Sequence, residues 1–230
     1  MFAREPLPQS VARKIQGMIL SGELKPGDKV PSQRDFAGTL AISRASLREA
    51  LLTLETLGLV KTQAGRGTFV SAEKPSGTRE LARWRYSGRH SVFDVFQTRV
   101  MIETRIAGLA APSMATADCD RLAAATDAME KSFAEGDLLS HVEADLGFHG
   151  LIAAACPNRM LVDLYQSVRD ELTETQRQPI PKTAPKRMAQ STAEHRHIVS
   201  ALRDRDAGRA AAAMESHIRN TARCAGVDLG

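Results

Sequence analysis

Apolar residues recur at helical spacing from early in the chain. Val11, Ile15, Met18 and Ile19 fall three and four apart within residues 10–20, and Gly22 ends the run. Pro26-Gly27 then marks a turn whose tail, around Val30, can form a brief strand. Ser32 and Ser43 are cap residues, predicting a second helix to about Leu40 and a third that carries Leu47, Ala50, Leu51 and Leu54 on one side until Gly58 stops it. Leu59–Thr62 and Thr68–Val70 read as strands around Ala64-Gly65-Arg66-Gly67. Three helices and a hairpin make the layout of a winged helix.

From Ser71 to His90 the periodicity lapses among Pro75, Ser76, Gly77 and many charges, which predicts a linker. Beyond it, residues 91–115, 116–135, 137–156, 160–178, 190–204 and 206–224 each repeat apolar positions three and four apart. The predicted fold is therefore mainly α: a winged helix-turn-helix over residues 1–74, a linker over 75–90, and an all-helical bundle of about six helices over 91–230.

Composition sharpens this division. Aromatic residues are only 4% of the 230, in keeping with helix. The net charge of +4 lies in the first third, where residues 1–74 hold 11 Lys and Arg against 7 Asp and Glu while the remainder is balanced. A basic segment joined to a neutral one fits a nucleic-acid reader attached to a domain with another task. No apolar run is long enough for a membrane span, and the opening residues lack a secretory signal, so a cytoplasmic protein is expected. Cys119, Cys156 and Cys224 have no CxxC spacing, which indicates neither a disulfide framework nor a thiolate metal site.

On the third predicted helix Arg44 and Arg48 lie four apart on the side opposite the leucines, near its start, where a helix-turn-helix presents donors to the major groove. Each guanidinium fork suits guanine O6 and N7, and the Ser43 and Ser46 hydroxyls suit phosphate. The sequence here resembles the winged-helix regulators of the GntR superfamily, FadR subfamily. Leu24–Arg34, Ser43–Leu51 and Gly65–Val70 carry the likeness, in the family's order and spacing. It implies that Arg34, Arg44 and Arg48 contact double-stranded operator DNA, with Ser43 and Ser46 on phosphates and the wing at Gly65 and Arg66 approaching the minor groove. Ala41 stands where the family usually has glycine, and Ala64 where some relatives carry a donor.

A second constellation lies in the predicted bundle. Asp145 and His149 are four apart and share a helix face, and His195 and His217 follow on the last two helices. Three imidazoles and a carboxylate without thiolate suit zinc, nickel or manganese. His141 and His197 read as ordinary solvated histidines. Residues 96–103, 145–149, 194–195 and 217–218 resemble the helical FCD effector domain that follows the winged helix in the FadR subfamily. That resemblance implies a divalent metal, zinc first, at Asp145, His149, His195 and His217, with Arg99 pairing a small carboxylate effector such as a hydroxy, keto or sugar acid. A metal-dependent enzyme acting on a small organic acid is the rival reading, but Glu143 and Glu194 have the spacing of ordinary surface acids and leave it without a base. The expected function is a metabolite-responsive transcriptional regulator, a repressor, acting as a homodimer on a pseudo-palindrome.

Overall fold

The computed structural model describes residues 7–32, 36–38, 42–72, 88–177 and 183–230. The chain divides into two compact units, Met1–Ser76 and Gly77–Gly230.

In the first unit, helix α1 (Leu7–Leu20) buries Val11, Ala12 and Ile15. It begins three residues before the predicted start because Pro8 falls in the first turn, where a missing N–H costs nothing. Helix α2 (Arg44–Thr56) packs against α1 through Leu47, Ala50, Leu51 and Leu54. Its first turn is closed by Ser43, whose hydroxyl accepts from the Ser46 amide at 3.0 Å. Gly58, at φ 68°, ends it in the left-handed region. Strands β1 (Val60–Gln63) and β2 (Gly67–Val70) pair antiparallel, with Val60 opposite Val70. The strand expected near Val30 is a single bridge, Lys29 to Phe69, held by Val30 N to Thr68 O at 2.8 Å. Only residues 36–38 of the predicted second helix are described, and they are helical; Arg34 and Ala41 lie outside the described residues.

The second unit is helical. Its elements are α3 (Val92–Ala110), α4 (Thr116–Ala134), α5 (Leu138–Ala155), α6 (Arg159–Ser167), α7 (Arg169–Arg177), α8 (Pro185–Arg203) and α9 (Ala207–Cys224). Helix α3 lies along α9, α9 against α8, α8 against α4, α4 against α5, and α5 returns to α3. This closed ring of contacts surrounds a core that includes Phe96, Ile106, Leu122, Met129, Phe148, Ile152, Ile198, Leu202 and Ile218. Side chains cap the starts of most of these helices: Ser91 and Asp94 form a reciprocal capping box on α3, and Asp137, Asn158 and Asp206 cap α5, α6 and α9. Where α3 and α9 pack together, a Cβ on Gly108 would lie 3.2 Å from the Ala207 carbonyl.

The structure departs from the sequence reading in three places, the first two for local reasons. The first bundle helix stops at Ala110 and gives way to a 3-10 turn, Ala111–Ser113, because Pro112 lacks the N–H that would extend it. Helix α8 starts at Pro185 rather than near residue 190, with the proline at its first position. The helix predicted over 160–178 is two, broken at Val168 (φ −111°, ψ 11°). After the break α7 turns three consecutive polar residues, Glu174, Thr175 and Gln176, inward together with Leu172. No glycine or proline signals that break.

Leu202 is fully buried at the meeting of helices. Leu202→Ala should lower the unfolding free energy by about 2–5 kcal/mol, the usual cost of such a cavity; chemical denaturation followed by circular dichroism measures it.

Candidate metal centre and nucleic-acid interface

The three histidines singled out in the sequence occupy core positions on their helices. His149 sits beside Phe148 and Ile152 on α5, His195 beside Ile198 and Val199 on α8, and His217 beside Met214 and Ile218 on α9. Their rings meet with centroids 4.3 to 5.8 Å apart, and Phe148 stands edge-on to His195 at 4.7 Å. Asp145, one turn before His149, joins them. One ligand atom from each of the four residues lies within 4.8 Å of the others. That is close to the span of two metal–ligand bonds of about 2.1 Å.

Each outward nitrogen faces an oxygen. His149 Nδ1 faces Glu103 Oε2 at 2.6 Å, His195 Nδ1 lies 2.8 Å from the Ser191 carbonyl, and His217 Nδ1 lies 3.0 Å from Glu194 Oε2. Such partners fix ring orientation and leave Nε2 as the inward lone pair, the arrangement found around metal-ligating histidines. Nε2 of His149 and of His195 is buried and makes no hydrogen bond, although Asp145 Oδ1 approaches the latter to 3.1 Å. Buried nitrogens without partners are costly in an apolar core, and a divalent ion accepting their lone pairs would remove that cost. The donor set therefore fits a divalent cation.

Electrostatics agree with this fit. Burial, reinforced by the neighbouring His195, pushes His217 down to about 3 against the opposing hydrogen bond of Glu194, so the ring is neutral near pH 7. Burial would raise the Asp145 carboxyl, but the close approach of His195 and the surrounding imidazoles hold it well below the usual carboxylate range. Burial acts likewise on Glu103, yet Arg99 and then His149 bring it to about 2.

Arg99 is fully buried rather than spread on a solvated helix face. Its Nε donates to Glu103 at 2.7 Å, Nη1 lies 3.4 Å from Thr175 Oγ1, and Nη2 has no partner. It lines a cavity, partly open to solvent, together with Asp145, Gln176, Arg187 and His217.

Several residues here were not singled out by the sequence. Glu103 was legible as the i+4 partner of Arg99. Glu194, read as a surface acid, is half-buried between His217, Asn220 and Arg187. Gln176 donates to Asp145 Oδ2 at 3.1 Å and steadies the carboxylate from α7, a contact that the unsignalled break at Val168 makes possible. His141 is also corrected: it is buried, with Nδ1 2.8 Å from the Met129 carbonyl, because α4 covers it. His197 is exposed, as expected.

In the other unit, Arg44 and Arg48 are exposed on the face of α2 opposite its buried leucines, and neither makes an ion pair among the described residues. The Ser43 and Ser46 hydroxyls lie 2.9 Å apart at the helix start. Gly65 and Arg66 form the exposed hairpin tip, where Arg66 N donates to Gln63 O at 3.0 Å and Gly65 takes φ 71°. The structure does not describe Arg34.

Residues 7–70 match the gntR family of bacterial regulatory proteins, and residues 94–220 match the FCD domain. The chain belongs to the GntR family. With its FCD domain it has the FadR-like architecture, and the family's proteins are DNA-binding transcriptional regulators, not enzymes. It is 33% identical to the HTH-type transcriptional regulator LutR of Bacillus subtilis over 88% of this chain and 94% of the relative. It is 28% identical to the Uxu operon transcriptional regulator of Escherichia coli, over 92% and 84%. The fold is shared with Streptococcus agalactiae GntR (TM-score 0.50, 24% identity, 94% and 99% covered) and with E. coli McbR/YncC (0.52, 15%, 94% and 94%). No helix among the described residues is long and apolar enough to cross a membrane.

Removing Arg99 alone would leave Glu103 buried without its strongest counter-charge. Arg99→Met should cost about 3–5 kcal/mol of stability, and the double variant Arg99→Met/Glu103→Met much less than the sum of the single changes; a denaturation double-mutant cycle reads the difference.

Proposed function

We propose that this regulator is a repressor whose operator binding responds to a small carboxylate held at a metal-centred site of the FCD domain. The observation that carries the reading is one cavity lined by Asp145 and His217 of the four-residue cluster and by Arg99, whose Nη2 is a buried guanidinium nitrogen with no partner. Asp145, His149, His195 and His217 would hold the ion, zinc before nickel or manganese. The ion would supply a Lewis-acidic charge to which a carboxylate can bind. Arg99, backed by Glu103 and Thr175, donates to that carboxylate and orients it.

DNA is read by residues 1–74, with 75–90 as linker and 91–230 as the effector domain. Arg44 and Arg48 enter the major groove, Ser43 and Ser46 meet phosphates, Arg34 assists from the preceding helix, and Gly65 and Arg66 approach the minor groove. Exposure, and the lack of an ion pair among the described residues, support this assignment for Arg44 and Arg48. A homodimer on two half-sites supplies the affinity that one winged helix lacks, and the protein works in the cytoplasm.

Selection from random duplexes yields the operator, on which Arg48→Ala should weaken binding by about 1–3 kcal/mol. Full-strength binding by Arg48→Ala would remove α2 as the reading helix. Purified protein should contain one divalent ion per chain, and chelation should lower its melting temperature because the ligands tie α5, α8 and α9 together. His195→Ala should abolish both effects. Elemental analysis finding no metal, with a melting point indifferent to added zinc, nickel or manganese, would refute the metal site.

A further inference from the structure

Arg99 has a counterpart on the other side of the histidine cluster. On one side the contacts run Arg99 Nε to Glu103 Oε1 at 2.7 Å, then Glu103 Oε2 to His149 Nδ1 at 2.6 Å. On the other they run Arg187 Nη2 to Glu194 Oε2 at 3.0 Å, then Glu194 Oε2 to His217 Nδ1 at 3.0 Å. Arg187 also donates from Nε to Cys224 Sγ at 3.3 Å. Its remaining nitrogen, Nη1, is buried and unpartnered, as Arg99 Nη2 is. Both arginines line the same cavity, and Asp145 and His217 line it too.

An arginine whose whole task was to hold Glu194 would need only Nη2. Burying a further N–H of a charged group with nothing to accept it costs free energy. A ligand acceptor placed there recovers that cost. Because the donor is charged, a carboxylate repays it better than a hydroxyl.

We propose that Arg187 is a second anion anchor, so that the effector is a dicarboxylic acid with one carboxylate at Arg99 and the proposed ion and the other at Arg187. The inference rests on the carboxylate-effector reading above and narrows its ligand class. Glutamate already neutralises each guanidinium, so what each arginine has left for a ligand is one unpartnered N–H at its own place beside the cavity rather than diffuse positive charge. Selectivity then depends on the spacing between acceptors.

Malate, glycerate and lactate form a matched series: each is a 2-hydroxy acid, and the third carbon carries a carboxylate, a hydroxyl or only hydrogen. Calorimetric titration of the zinc-loaded full chain should show malate binding about tenfold or more tighter than lactate, with glycerate near lactate. In Arg187→Gln the malate-to-lactate ratio should fall to about one, and Arg187→Lys should restore part of it. Using the ratio within one protein cancels any change in zinc affinity transmitted through Glu194, and melting curves verify folding. Lactate binding as tightly as malate in the wild type, glycerate outbinding malate, or a preference that survives Arg187→Gln would each overturn the second anchor while leaving the carboxylate reading intact. Binding of none of the three acids would overturn both.

Discussion

The effector domain is organised around charge that it cannot leave unpaired. Arg99 is fully buried, and a guanidinium in an apolar interior is tolerable only with an ionised partner at hydrogen-bond distance. Glu103 supplies that partner through one carboxylate oxygen and turns the other toward His149. The pairing fixes the rotation of α3 against α5, and with it the inward direction of His149 Nε2. Phe96 and Phe148 belong to the core around it.

The same logic explains why the histidines need helices so far apart in sequence. An imidazole on an apolar stripe is held neutral by burial, as His217 is, and its outward nitrogen must find an acceptor. The Ser191 carbonyl, one turn before His195 on α8, serves His195; Glu194, from a neighbouring helix, serves His217. With the outward nitrogens occupied, the inward ones converge beside Asp145, whose second oxygen Gln176 holds. The centre is thus shaped by its outer partners as much as by the four residues themselves.

The reading unit depends on a different economy. Its small core is closed by short-range devices: the Ser43 cap, the left-handed glycines at 22, 27, 58 and 65, and two paired strands. Among the described residues Arg44 and Arg48 on α2 are exposed and make no ion pair, so their side chains are available to a partner.

Local chemistry made much of this legible in the sequence. Caps, turn glycines and the 3.6-residue period are properties of near neighbours, and they gave α2, the hairpin and three of the six bundle segments close to their observed limits. The i, i+4 spacing of Asp145 and His149 placed both on one face of α5, and family likeness drew His195 and His217 to them. Tertiary packing decided the rest. The break at Val168, the burial of His141 and the inward turn of Glu174, Thr175 and Gln176 carry no local signal, because each is set by which helix happens to cover that face. Arg187 and Glu194 look like surface charges in the sequence. Only the crossing of α8 and α9 brings them against His217, since whether a charge is solvated or buried depends on residues distant along the chain.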